Sequence, residues 1–185
     1  AIPLNSNLLS CSVYNQYTED GANGIYLHDG SGTYGSQEAG DNSYRYTGAN
    51  PNNYVCFGSD EASCPADNLY RIIGVFGNQV KLIKHDYVGS NLLGTNGAYN
   101  SSTTSPGSYY KGSQSTLYRY YWNRSGTNTW SASQLNTVNL NTNYLNNIGS
   151  KWSNLIATTS WKVGGNTTLN IYNMPVKSTY TNEIV

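Results

Sequence analysis

The feature that most constrains this chain is a pair of apolar runs, Leu69–Phe76 (LYRIIGVF) and Gln79–His85 (QVKLIKH), separated only by Gly77-Asn78. A Gly-Asn pair tolerates the positive φ of a tight turn, so these runs predict an antiparallel β-hairpin. In the second run Val80 and Leu82 lie near Lys81 and Lys84, although Ile83 breaks strict alternation. A strand buried on one face, with Lys on the other, belongs to an antiparallel sheet. Just upstream, Cys56 and Cys64 enclose FGSDEAS. A disulfide closing so short a loop would stabilise by about 2.5 kcal/mol on chain entropy. Zinc would want four ligands at tighter spacing, and the two histidines lie elsewhere. The pair therefore predicts a structural bridge and an oxidising compartment.

Around this hairpin the pattern is weaker. Residues 1–20 are ambiguous, and AIPLNSNLL is read as an extension or the remnant of an anchor. Residues 21–53 are dense in turn formers (HDGSG, AGDN, GANPNN), with one alternating run, Ser43–Thr47, that predicts a strand. Tyr54–Phe57 is a further short apolar run. Residues 88–129 are a long polar stretch with Tyr118–Trp122 (YRYYW) as its main apolar anchor; loops of that length are usually functional. Ser131 with Gln134 fits a capping box, and Trp130 with Leu135 a hydrophobic staple, predicting a helix that carries Leu135 and Val138. Asn139-Leu140-Asn141-Thr142 is expected to interrupt it before a second helix with Tyr144, Leu145 and Ile148. Ser150–Ala157 predicts a third short helix with Trp152, Leu155 and Ile156 inward, and Thr158–Val163 a strand.

Composition narrows the class. Only 11% of the 185 residues are charged, against roughly a quarter in an ordinary domain, and the polarity comes from Asn, Ser, Thr and Gly with 18 Tyr. Such a chain is long enough for one cored domain and too aromatic for a disordered tail. Charge is segregated along it: residues 1–86 hold nine acids against four bases, and residues 87–185 six bases against one acid. Both halves folding into one neutral body is the simple reading, and head-to-tail assembly the sharper one. Six scattered bases do not make a nucleic-acid groove, so no nucleic-acid partner is expected. No run of 18 apolar residues occurs, so no membrane span is expected.

Catalytic chemistry finds little purchase. His28-Asp29 and His85-Asp86 are neighbours in sequence, which in a strand sends the side chains to opposite faces. Asp29-Gly30-Ser31-Gly32, Asp41-Asn42-Ser43 and Asp60-Glu61 with Asp67 could offer oxygens to calcium, but they lack the acids of an EF-hand loop and read more simply as turn chemistry. No cofactor is expected. Cys11 is the odd cysteine: a thiol packed as a small hydrophobe, an intermolecular bridge or a lipid attachment point. The best binding candidates are the tyrosine-rich patches, Tyr44 and Tyr46 and above all Tyr109, Tyr110, Tyr118, Tyr120, Tyr121 and Trp122. Tyr and Trp supply rigid amphipathic area that stacks on sugars.

The order of these features carries a resemblance: the hairpin YRIIGVFGNQVKLIK, a polar insert, then WSASQL leading into short helices, then TTSWKVGG. Over residues 21–185 the chain is similar to the C-type-lectin-like domains of large surface proteins from gut Firmicutes-type bacteria, some of which carry pilin-like anchors. The resemblance implies one α+β domain with an antiparallel hairpin core, short helices and long polar loops, preceded by the 1–20 extension. In that family further sequence usually completes the sheet. This chain stops before it, which implies absent strands, strands supplied by a partner, or a fragment. The calcium-dependent sugar site does not carry over, because Asn50-Pro51-Asn52 lacks the acid and Trp122-Asn123-Arg124 has Arg where Asp is required.

The expectation is therefore a non-enzymatic exported module, secreted or held at the cell surface, that recognises a glycan or a surface protein through residues 88–129. The alternative is a structural subunit of a pilus-like surface polymer, built by self-assembly.

Overall fold

The computed structural model describes residues 8–30, 40–94, 110–111, 118–119, 130–133, 135–163 and 181–184. The class is α+β, with antiparallel strands and a few short helices. The chain divides into two units, Ala1–Asp86 with Lys162–Glu183, and Tyr87–Trp161 with Ile184–Val185.

The first unit is built on the hairpin. β4 (Leu69–Phe76) and β5 (Gln79–Lys84) pair from Tyr70↔Lys84 to Phe76↔Gln79. Gly77 opens the turn at φ 62°, where a side chain would be strained. On its other edge β4 carries two strands end to end: β3 (Tyr54–Cys56) beside Leu69–Arg71, and β2 (Ser43–Tyr46) beside Gly74 and Val75. β1 (Ile25–His28) lies outside β2. It was not expected, because IYLH is too short to stand out among the turns around it. A bulge between Ile72 and Gly74 lets both Ile72 and Val75 face inward.

The core is Val13, Ile25, Ile72 and Val75, with Tyr14, Tyr17, Tyr44, Tyr46, Val55, Val80 and Leu82 against it. Val13 comes from α1 (Leu9–Tyr14), so residues assigned to the extension contribute to the core of this unit. Tyr44 stands edge-on between Tyr14 and Tyr17, with each ring centroid 4.8 Å away. Tyr14 Oη also donates to the Gly77 carbonyl at 2.9 Å, tying α1 to the hairpin turn. Burial, with Tyr44 and Cys11 nearby, pushes the Tyr14 hydroxyl above its ordinary pKa. Cys11 is a fully buried thiol. Cys56 at the end of β3 is bridged to Cys64, with Cα atoms 5.7 Å apart.

The second unit departs from expectation. No break occurs at Asn139–Thr142: a π-helix runs over Leu135–Tyr144 and passes directly into α3 (Leu145–Asn147). Two side chains follow the π spacing, Asn141 Nδ2 donating to the Asn136 carbonyl and Thr142 Oγ1 to the Thr137 carbonyl, each five residues back. The cap is Ser133 rather than Ser131, since Ser133 Oγ accepts from the Asn136 amide at 3.0 Å.

Asn139, Asn143 and Asn147 then bind the end of α2 (Ser90–Leu93). Asn139 and Asn143 both donate to the Leu93 carbonyl at 2.9 Å, and Asn147 donates to the Leu92 carbonyl at 2.9 Å. These are orphan helix C-terminal acceptors, satisfied here by amides from a neighbouring helix. The following residue, Gly94, has φ 77° and lies against Asn143 with no room for a Cβ. α4 (Ser150–Ser153) is shorter than expected, and Leu155 and Ile156 are exposed at 68% and 43% instead of turning inward. β6 (Tyr110–Lys111) pairs with β7 (Tyr118–Arg119), and β8 (Ser160–Val163) with β9 (Thr181–Ile184).

Candidate binding surfaces

The pleat of the first unit sends alternate residues away from the core. Tyr44, Tyr46, Val55, Ile72, Val75, Val80 and Leu82 pack inward. Their neighbours Arg45, Tyr54, Arg71, Phe76, Lys81 and Ile83, joined by Tyr26 opposite Arg45, therefore lie on the outer face. Three exposed apolar or aromatic positions break the usual polar-out pattern there: Ile83 is 54% exposed, Tyr54 43% and Tyr26 40%. Three of the four bases in residues 1–86 fall on this face, while Lys84 pairs with Tyr70 on the other parity.

The bases are held in two stations along β4. In the first, Arg45, Gly74 and Lys81 are directly opposite one another across β2, β4 and β5. Gly74 is required here, because a Cβ would meet the Tyr44 carbonyl oxygen and come within 3.0 Å of Arg45 Cα. With no side chain on Gly74, the Arg45 stem lies over β4 and sets its Cζ 5.1 Å from the centroid of Phe76, while Lys81 Nζ approaches the same ring at 5.8 Å. Asp41 and Ser43 orient the guanidinium: Nη2 donates to Asp41 Oδ2 at 2.6 Å and Nε to Ser43 Oγ at 2.7 Å.

Burial pushes the Asp41 carboxyl up, but the Ser43 bonds and the Arg45 charge outweigh it and hold it below the ordinary carboxylate value. Burial first, and then the Arg45 charge, pull the Lys81 amine below its ordinary value. In the second station Arg71 Cζ lies 5.0 Å from the Tyr54 centroid, with Nε donating to Asn53 Oδ1 at 2.9 Å. Asn53 is itself buried and donates to the Ile72 carbonyl at 2.7 Å, so the position of Arg71 is set from the sheet. His85 meets the Tyr54 ring edge-on at 5.2 Å.

The tyrosines singled out from sequence divide. Tyr44 and Tyr46 are partly buried and pack against the core on the inner face. Tyr110 and Tyr118 fall in adjacent strands, with Tyr110 opposite Arg119 and Lys111 opposite Tyr118. Tyr109, Tyr120, Tyr121 and Trp122 lie outside the described residues. Asp41 is engaged in a turn with Ser43 and an ion pair with Arg45. Among the described residues no group of three His, Cys, Asp or Glu could hold a metal ion, and no helix is long and apolar enough to cross a membrane.

The outer face was missed in the sequence reading, although it left a signal. In the hairpin, Phe76 and Ile83 stand on the Lys81 side of the alternation, where a simple solvated face would be polar. A scan against protein-family models and searches of curated proteins and of solved structures find no match to this chain, so its function is argued from these surfaces alone.

Proposed function

We propose that this chain is a non-enzymatic recognition module of C-type-lectin-like type, exported and held at a bacterial surface, that binds a glycan or a protein. One observation carries the reading: the outer sheet face interleaves rings with cations, and leaves Tyr26, Tyr54 and Ile83 exposed at 40%, 43% and 54%. Exposed rings held on a rigid sheet offer contact area with little left to order on binding. In the 88–129 insert, which we read as a second contributor, Tyr110 is in register with Arg119 and Lys111 with Tyr118. The Cys56–Cys64 bridge suits an exported setting.

The test is a screen of the whole chain against glycans and surface proteins, repeated with Tyr54→Ala and Tyr118→Ala. Binding that either variant weakens about tenfold or more, with an unchanged melting curve, supports recognition; a hot-spot aromatic has an effect of that size. Absence of any ligand overturns it.

A second reading, a subunit of a surface polymer, is favoured by the charge layout. Bases collect on one sheet face, while Asp60 and Glu61 are exposed in the disulfide loop. Light scattering at micromolar concentration separates the two: filaments or defined oligomers favour the polymer, a monomer excludes it.

A further inference from the structure

We infer that the outer sheet face takes a protein partner on the row Tyr54–Arg71–Ile83, and that the partner presents there an Asp or Glu beside an apolar side chain. The inference rests on the recognition reading and names the partner's chemistry. Its first support is the row itself. Tyr54 is opposite Arg71 across β3 and β4, and Arg71 is opposite Ile83 across β4 and β5. Three strands at sheet spacing bring a ring, a guanidinium and an aliphatic side chain within about 10 Å. The outer two are exposed, Tyr54 at 43% and Ile83 at 54%.

The second support is how Arg71 is bonded. Arg45, on the same face, has its own carboxylate in Asp41. Arg71 has none among the described residues. Its acceptors are neutral oxygens, Asn53 Oδ1 at 2.9 Å from Nε and the Pro51 carbonyl at 3.4 Å from Nη2. These occupy one edge of the guanidinium. The other edge, Nη1 with the second Nη2 hydrogen, presents two N–H groups that match the two oxygens of a carboxylate. The sheet therefore fixes this charge without neutralising it. Asn53 is buried and bonded to the Ile72 carbonyl, and the Tyr54 centroid lies 5.0 Å from Arg71 Cζ.

The third support selects a protein over a glycan. Ile83 is the most exposed of the apolar and aromatic side chains on this face, and it is aliphatic. A sugar would set hydroxyls against it, whereas a protein supplies an apolar side chain for it to bury against. The Tyr54 ring is already shared by Arg71 and by His85, which meets it at 5.2 Å, so less of it is open for a sugar to stack on. Arg and Tyr are also residue types in which protein–protein binding energy concentrates.

The experiment pans a displayed library of random dodecapeptides on the whole chain. Enriched peptides are then titrated against the wild type, Arg71→Gln, Arg71→Lys and Ile83→Ser. Ile83→Ser changes an exposed side chain, and keeps the test decisive if loss of the Asn53 bond unfolds the Arg71 variants. The expected peptides carry Asp or Glu next to an aliphatic or aromatic residue. Arg71→Gln should weaken them about tenfold with an unchanged melting curve. Arg71→Lys, which keeps the charge and loses the fork, should weaken them less, as should Ile83→Ser. Replacing the acid of the peptide by its amide should match the Arg71→Gln loss, and the two losses should not add.

Enriched peptides without acids overturn the inference. So do acidic peptides that Arg71→Gln and Ile83→Ser bind as tightly as the wild type does, and so does a library that yields nothing. If a glycan then binds in a Tyr54-dependent way, the recognition reading stands and its assignment to a protein partner falls. If glycans and surface proteins fail as well, both fall. If the wild type self-associates and Arg71→Gln dissolves the oligomer, the carboxylate belongs to a second copy and the inference falls.

Discussion

Val13, Ile25, Ile72 and Val75 close the first unit, whereas in the second the buried positions among the described residues are divided between Leu92, Leu93 and Ile148 and the polar Ser133, Asn139 and Asn143. The first is a sheet with a mainly apolar interior, joined by the buried polar Ser10, Ser43 and Asn53, and held by hydrogen bonds between strands. In the second, side-chain amides reach from one helix to the last carbonyls of another. Apolar packing tolerates exchange of one hydrophobe for another of similar size, because the attraction has no direction. Amide-to-carbonyl bonding is directional, and removing a donor leaves a buried acceptor uncompensated. A chain poor in charge and rich in Asn can use both strategies: the first unit relies mainly on apolar packing, with Asn53 donating to the buried Ile72 carbonyl, and the second relies mainly on side-chain amides.

That contrast can be broken most forcefully at Ile72. Truncation to Ala removes buried methyl and methylene groups facing Val13 and Val75, and should cost about 2–5 kcal/mol in urea unfolding; a loss below 1 kcal/mol would mean that this core is not what closes the unit. Next in size is the Cys56–Cys64 bridge. Its removal as the paired Cys→Ser variant should cost about 2.5 kcal/mol, read as a lowered melting temperature that reducing agent reproduces in the wild type.

The amide ladder gives a sharper test. Asn139→Leu alone should cost under about 1 kcal/mol, because the Leu93 carbonyl keeps its bond from Asn143 and the buried Asn139 Oδ1 has no hydrogen-bond partner to lose. Asn143→Leu together with Asn139→Leu strips that carbonyl of both donors and should cost about 1–3 kcal/mol more than the two single losses would suggest. Simple additivity in this cycle would show that the two amides do not share the carbonyl.

The smallest effect is electrostatic. Asp41 is held below its ordinary value of 3.8, so the stability it contributes is complete above that pH and lost as pH falls through its folded value. With 39% of the side chain exposed the amount is well under about 1 kcal/mol. Acid titration of Asp41→Asn should lack this component while keeping the rest of the curve.

Three tyrosines give the alkaline counterpart. Burial raises Tyr14, Tyr17 and Tyr46 above the ordinary 10.0. The stability they add is complete below that pH and lost as pH rises through their folded values.

The hairpin, its turn at Gly77-Asn78, the strand at Ser43 and the cysteine bridge were all legible in the residues. Each rests on local chemistry: alternation of apolar and polar side chains, a Gly that accepts positive φ, and two thiols close in sequence. The α+β class, which the resemblance implied, needs the helices as well as these strands. The amide ladder was not legible as such. Asn139, Asn143 and Asn147 recur at intervals of four, but Asn is a poor helix former, so Asn139–Thr142 reads locally as an interruption and the spacing of the three goes unread. They become helix-stabilising only because the ends of α2 supply acceptors.

The outer sheet face was likewise decided by tertiary structure. Arg45 and Lys81 are far apart in sequence, and neither pairs with the other's strand directly. They meet at Phe76 because β4 runs between β2 and β5, with Gly74 leaving the room for Arg45 to lie over β4. Local sequence determines which segments become strands, since backbone preference and side-chain alternation act over a few residues. Which cations and rings share a surface depends on strand order and register, and those are set by contacts between residues distant in the chain.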